Sequence, residues 1–318
     1  MSIKTKGYLL GAIAAATYGM NPLFTLPLYA DGMDPNSVLF FRYIFAILIM
    51  GIMIKARGRD FKVKRSHVAP LAAMGLLASY SSLSLFISYN YIAAGIASTI
   101  LFVYPIMVAL IMAIFFREKI TLQTILCIIL ALSGIAMLYK GENGTTLNTT
   151  GILFIMSSAL SYALYIVGAN RQPLKDIPTV KMTFYVFLFG SSIYLLSTKF
   201  CTELILPTRW YLWGNLLSLA IFPTAISFLC TTMAVQYIGA TPTAILGALE
   251  PVTALIFGVA LFGEAFTPRI AMGVILIIIA VTIIIAGGQI TSHLTRFRKL
   301  FPQIIRKVPS GKILRKVR

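Results

Sequence analysis

One carboxylate in this 318-residue sequence lies where ionisable groups are rare. Glu250 is ten residues into an apolar run from Ala240 to Phe262, with Pro251 directly after it. A carboxylate among apolar side chains has lost its hydration, which favours the protonated form. Such a group can take a proton from one side and release it to the other, or meet the cationic group of a ligand. As a neutral acid it can instead bond to a neighbouring helix and fix a kink. Pro251 bears on either role, because a proline inside a helix removes one backbone hydrogen bond and frees a carbonyl a turn earlier, near Gly247. Arg42 also lies within an apolar run. It can attract an anionic group such as a carboxylate, snorkel to an interface, or pair with Asp31 or Asp34. Glu118 and Glu264 close two runs, flanked by Arg117 and Lys119 in one case and by Arg269 in the other. They read as gates that make and break ion pairs, or as helix-end anchors.

Hydroxyl and amide groups recur at helical spacing in four of the runs. Ser81, Ser84 and Ser88 form one stripe, and Thr224, Ser227 and Thr231 a second. Ser158, Ser161, Tyr162 and Tyr165 form a third, and Thr17 with Asn21 a fourth. Stripes of this kind line a polar pathway, or let helices approach closely and bond across. With Tyr104 and Thr243 they give a candidate cavity of Glu250, Tyr104, Asn21, Ser81, Ser84, Ser88, Tyr162, Tyr165, Ser227, Thr231 and Thr243, with Pro105 and Pro251 as helix kinks. Hydrolytic chemistry has no visible source: there is no HExxH, no GxSxG and no paired-acid motif. His67 and His293 stand alone in basic segments, and Cys127, Cys201 and Cys230 are scattered singly. Neither a metal site, a disulfide framework nor a cofactor is implied, and the chain does not read as an enzyme.

The elements that must position these residues are membrane helices. Hydrophobic residues make up 58% of the chain and charged residues 11%, with mean hydropathy +0.89; soluble domains are about 45–50% apolar and about 25% charged. A bilayer-crossing helix needs ~20 mostly apolar residues. Ten such runs are present, at 7–29, 37–55, 68–90, 93–116, 121–139, 150–170, 179–199, 210–235, 240–262 and 268–287. The expectation is an all-α integral membrane protein. Its net charge of +18 reports topology and implies no nucleic acid partner. With the N-terminus inside, 22 Lys and Arg fall on the cytoplasmic side and 4 on the other, the asymmetry expected of an inner (cell) membrane protein with both termini cytoplasmic. Trp210, Tyr211 and Trp213 sit at the outer interface. The tail from Gln289 carries nine Lys and Arg and no acid, so anionic lipid is its expected partner.

The chain is also written twice. Residues 91–121 align without gaps to 237–267, with seven identities: Tyr91/Tyr237, Ile92/Ile238, Ala94/Ala240, Pro105/Pro251, Phe116/Phe262, Glu118/Glu264 and Thr121/Thr267. Gly7/Gly151, Leu9/Leu153, Ala15/Ala159 and Tyr18/Tyr162 relate the first run to the sixth. The repeat is therefore five helices long. Five is odd, so the second copy starts on the opposite side of the membrane, and the halves are inverted. Secondary transporters use this architecture repeatedly, with the substrate near the midplane where the halves meet.

The stretch Tyr-Asn-Tyr-Ile-Ala-Ala-Gly before the fourth run, Tyr104-Pro105 within it, Arg117-Glu118 at its end, and the copy Leu249-Glu250-Pro251 with Phe262-Gly263-Glu264 resemble the EamA-type transporters of the drug/metabolite transporter superfamily. The resemblance covers residues 7 to 287. Tyr18-Gly19 stands where that family commonly has Trp-Gly. The resemblance implies ten helices in two five-helix repeats and export of a small polar metabolite such as an amino acid by alternating access. Relatives in the superfamily that exchange nucleotide sugars or organic phosphates supply an alternative, and a passive channel is another. The expected organisation is a cytoplasmic segment 1–6, repeats at 7–139 and 150–287, and a basic tail 288–318. Helices 1, 3, 4, 6, 8 and 9 are expected to line the cavity; the oligomeric state is left open.

Overall fold

The computed structural model describes residues 2–117, 122–139, 147–169, 174, 177–238, 243 and 246–283, and these form helices with no strand among them. Glu118 and the basic tail lie outside the described residues. In chain order the helices are α1 (Ile3–Gly19), α2 (Asn21–Ala30), α3 (Pro35–Ala56), α4 (Arg65–Ser88), α5 (Ala94–Leu101), α6 (Tyr104–Phe116), α7 (Leu122–Tyr139), α8 (Thr149–Ala169), α9 (Thr179–Ser197), α10 (Leu212–Ala220), α11 (Ser227–Ile238) and α12 (Leu249–Phe262), then α13 (Pro268–Ile283). Seven continuous or nearly continuous segments of 19 to 28 residues are long and apolar enough to cross a bilayer. The shorter apolar helices Ile125–Leu138, Leu249–Phe262 and Pro268–Ile283 complete the ten-run pattern. Apolar side chains such as Ile52, Ile114, Phe115, Leu153 and Leu261 project outward, where hydrocarbon, not water, is their solvent.

Local signals explain where the helices start. The Asp34 carboxylate accepts from the amides of Asn36 at 3.1 Å and Ser37 at 3.2 Å, and Pro35 occupies the first turn, where its missing N–H costs nothing. Three apolar runs are broken internally. The first divides at Met20, ahead of Pro22. The fourth divides at Phe102–Val103, ahead of Tyr104-Pro105. The ninth has a turn at Gly247–Ala248, ahead of Glu250-Pro251. Pro105 and Pro251 are thus not kinks in the middle of continuous helices. Each sits in the first turn of a half-helix, where no intrahelical N–H is required. The eighth run stays continuous but passes through a π-helical turn, Ile221–Ile226, containing Pro223.

The inversion can be read from contacts. At the beginning of α8, Gly151 lies against Tyr91 and Ile92, just past the end of α4; at the beginning of α1, Gly7 lies against Tyr237 and Ile238, at the end of α11. These are residues that the repeat pairs with one another, so the same contact is built twice. α1 packs antiparallel along α11, as α8 does along α4, and α5 crosses α12 where the fourth and ninth runs meet. α12 runs from the Tyr237 end of the bundle to the end where Glu264 meets Ala94. α1 therefore starts at one end, here the near end, and α8 starts at the other, the far end. The halves are upside down relative to each other.

A Cβ on Gly7 would fall 2.5 Å from Ile238 Cγ2, and one on Gly151 would fall 2.7 Å from Ile92 Cγ1, distances that no real contact tolerates. Gly7→Val and Gly151→Val are each expected to destabilise the bundle by about 1–3 kcal/mol, the usual cost of overpacking. Gly214→Ala, where nothing lies within 4 Å, is expected to be neutral. Thermal unfolding of the purified protein in one detergent compares the three.

Candidate functional site

Between the repeats lies a cavity of about 360 Å³. Its walls come from the first four helical runs of the first half and the first four of the second: Tyr18, Arg42, Ser81 and Tyr104 on one side, and Tyr162, Thr183, Thr224 and Glu250 on the other. The second and seventh runs contribute Arg42, Tyr43, Thr183 and Phe187, beyond the six runs expected. The lining runs toward the near end through Gly11, Ile166, Thr183, Thr231 and Thr243. Toward the far end the bundle closes over buried Phe86, Phe102 and Ile100. A small extension of about 20 Å³, bounded by Asn21, Tyr89, Ser98 and Phe102, shares Tyr18, Tyr104, Tyr162 and Glu250 with the main cavity; it is large enough for a water.

Eight of the eleven candidate cavity residues line the main cavity: Glu250, Tyr104, Tyr162, Tyr165, Ser81, Ser227, Thr231 and Thr243. Asn21 is in the extension, its Nδ2 donating to the Tyr18 carbonyl at 2.9 Å and its buried Oδ1 without a partner among the described residues. Ser84 and Ser88 are buried but line neither space. Ser88 donates to the Leu85 carbonyl of its own helix at 2.6 Å. The stripe keeps one face, as its spacing predicts, yet only Ser81 lies at the level of the cavity. Even there the hydroxyl serves packing: Ser81 Oγ donates to the Ser158 carbonyl at 3.0 Å, and Ser158 Oγ returns the bond to the Ser81 carbonyl at 2.7 Å. Ser227 likewise donates to the Ala14 carbonyl at 2.9 Å, joining α11 to α1.

Tyr104 and Glu250 hold equivalent positions in the two repeats, each in the first turn of a half-helix, and both reach the cavity. The positive end of the α12 dipole therefore lies at Glu250. Its carboxylate makes no hydrogen bond or ion pair with any described residue. Opposite stands an aromatic wall in which Tyr104 meets Tyr162 edge-on at 4.7 Å and Tyr162 stacks on Tyr165 at 5.9 Å. Tyr18 completes it. The Tyr18/Tyr162 identity between repeats was the signal that would have found Tyr18.

Arg42 departs from expectation. It does not snorkel: its side chain is 7% exposed. It pairs with neither Asp31 nor Asp34, because Asp31 accepts from Thr208 and Asp34 caps α3. Its Nε instead donates to Thr224 Oγ1 at 3.1 Å, and its guanidinium lies 5.5 Å from the centre of the Phe86 ring. Pro223 explains the acceptor. Lacking an N–H, it leaves the Leu219 carbonyl free, the Thr224 hydroxyl donates there at 2.9 Å, and the hydroxyl oxygen is left to accept from Arg42. Asp31 is solvated, and the hydroxyl and amide of Thr208 hold its carboxyl below the usual range.

Glu264 also corrects an expectation. It forms no ion pair with Arg269, whose Nε donates to the Met137 carbonyl at 3.1 Å. Its carboxylate instead caps α5, accepting from the amides of Ala94 at 2.7 Å and Gly95 at 3.1 Å. The cap joins the two halves at the far end. Burial pushes the Glu264 carboxyl above the usual carboxylate range, and the two amides pull it partway back. Two glycines make the slot: a Cβ on Gly258 would lie 2.2 Å from Glu264 Oε2, and one on Gly95 would lie 2.8 Å from it. Gly258→Ala and Glu264→Ala are each expected to open the far end, read as faster alkylation of a cysteine placed at Ser98. Leu261→Ala, whose side chain points to lipid, is expected to leave that rate unchanged.

The sequence matches the EamA-like transporter family twice, over residues 5–140 and 149–286. The chain is 24% identical over 290 residues to the uncharacterized transporter YvbV of Bacillus subtilis (strain 168), covering 88% of this chain and 92% of that one. It is 26% identical over 253 residues to an uncharacterized transporter of Archaeoglobus fulgidus, with 79% and 87% covered. An uncharacterized transporter of Synechocystis is 30% identical over 228 residues, with 70% and 68% covered. A solved structure described as a crystal structure of a protein superposes with a TM-score of 0.63 at 17% identity, over 92% of this chain and 98% of that one, and shares the fold. With two family matches that together span both repeats, this multi-pass membrane protein belongs to the EamA-like transporter family.

Proposed function

We propose that the protein is a secondary transporter that moves a small polar metabolite of amino-acid size out of the cell by alternating access, with Glu250 carrying a coupling proton. The observation behind this reading is a cavity walled by both inverted repeats, running toward the near end and closed at the far end over buried Phe86, Ile100 and Phe102, the end where the Glu264 cap joins the halves. Inverted halves can exchange conformations, and the exchange would turn the same cavity toward the other side. The bias of Lys and Arg toward the near end of the bundle supports taking that end as cytoplasmic. Release of Glu264 from the α5 amides would then open the outward path.

Glu250 suits the coupling role because it is the carboxylate at the cavity and lacks a cationic partner among the described residues. Protonation and substrate occupancy would compete for or cooperate at the same wall. The volume of about 360 Å³ is at the small end of ligand sites, which favours a compact metabolite over a nucleotide sugar. A passive pore is disfavoured by the closed far end.

Proteoliposomes loaded with a defined metabolite mixture and placed in a pH gradient test the reading, with efflux followed by mass spectrometry. The wild type is expected to show saturable efflux, counterflow of labelled solute, and acceleration by the gradient. Glu250→Gln is expected to retain counterflow and lose most of the acceleration. Non-saturating flux without counterflow would make the protein a channel. An unchanged response to the gradient in Glu250→Gln would remove the proton from the mechanism.

A further inference from the structure

We infer that Arg42 is the substrate-binding cation of this cavity and that the substrate carries a carboxylate. The inference rests on the transport reading above and adds the chemical class of the solute. A guanidinium is always charged, and a buried charge is ordinarily paired with an opposite one, because an uncompensated charge away from water is costly. Arg42 breaks this rule. It is 93% buried, by its exposure of 7%, and among the described residues no carboxylate comes within ion-pair distance of it. Its recorded partners are one hydroxyl, on Thr224, and the face of Phe86.

Those two contacts have a direction. Thr224 takes the Nε–H, and the Phe86 face supports the guanidinium plane at a cation–π distance. The terminal amino groups are left without a hydrogen bond to any described residue, and Arg42 lines the cavity. An arginine held at its stem with its fork unoccupied is a preorganised receptor for a planar, two-oxygen anion. Thr224 is itself fixed by its bond to the Leu219 carbonyl, so the anchor does not need to reorganise when a ligand arrives.

Charge balance narrows the anion. The described cavity wall holds one cation, Arg42, and one acid, Glu250. A monoanionic carboxylate neutralises Arg42 and leaves Glu250 free to change its protonation. A phosphate dianion would exceed the single positive charge and face the carboxylate of Glu250. The apolar and tyrosine-rich remainder of the wall suits the rest of a small organic acid better than a second strongly charged group.

The test is thermal unfolding of the purified full-length protein with four probes of matched size: butyrate, butyramide, butylammonium and inorganic phosphate. Butyrate is expected to raise the Tm of the wild type, and the other three are expected not to. Arg42→Gln is expected to weaken butyrate binding about tenfold or more, the scale of a charge-assisted hydrogen bond. Arg42→Lys, which keeps the charge and loses the fork, is expected to bind butyrate with intermediate affinity. Should Arg42→Gln not fold, Thr224→Val supplies the same contrast, since it frees the stem and is expected to lower butyrate affinity with the charge in place. Equal shifts with butyrate and butyramide, a shift with phosphate alone, no shift with any probe, or a butyrate shift unchanged in the Arg42 and Thr224 variants overturns the inference. Failure of the transport reading looks different: proteoliposomes show no saturable flux while the Arg42-dependent butyrate shift persists.

Discussion

A peptide group in hydrocarbon has no water to bond, so every N–H and C=O within the bilayer must be satisfied by the protein or by a polar cavity. That constraint organises the whole molecule. It explains why the described residues are helices, and it also explains where the helices are allowed to fail. The breaks at Met20, Phe102–Val103 and Gly247–Ala248, and the π-helical turn at Pro223, border one cavity or its small extension. Irregular backbone at depth is gathered where polar groups of the protein can meet it, and at the π-helical turn Pro223, Thr224 and Ala225 are buried. The prolines fix the places. Pro105 and Pro251 begin half-helices, and Pro223 strands a carbonyl that Thr224 then takes up.

Much of this was legible in the sequence, and the reasons are specific. Runs of ~20 apolar residues could be read because a bilayer sets their length. The repeat could be read because the same close contact occurs at both ends, Gly7 on Tyr237-Ile238 and Gly151 on Tyr91-Ile92, and such a contact tolerates few residue types. The equivalence of Tyr104 and Glu250 followed from that alignment, and both reach the cavity.

What was not legible depends on the third dimension. Arg42 was read as meeting an anionic group, an interface or a nearby aspartate, and the acceptor of its Nε lies 182 residues away, made available by a proline in another helix. Glu264 was read either as an ion-pairing gate or as a helix-end anchor; the amides it caps come from the other half of the chain, 170 residues earlier. The serine stripe on α4 was correctly a stripe, but helical spacing assigns a face and not a depth, and the cavity ends before Ser84 and Ser88. The second and seventh runs line the cavity because α3 and α9 pack against each other across the halves. No periodicity within either run announces that crossing.

The slot around Glu264 carries a consequence for the kinship of the two halves. Gly95 and Gly258 leave room for that carboxylate, but the residues that align with them are Thr241 and Met112. The aligned sequence thus carries a branched hydroxyl residue and a thioether where the slot has two bare α-carbons. Swapping the identities of the two bundles is therefore not a symmetry operation for this polypeptide. At this pair of positions the duplicated sequence has diverged, and the glycine slot belongs to one copy of the repeat alone.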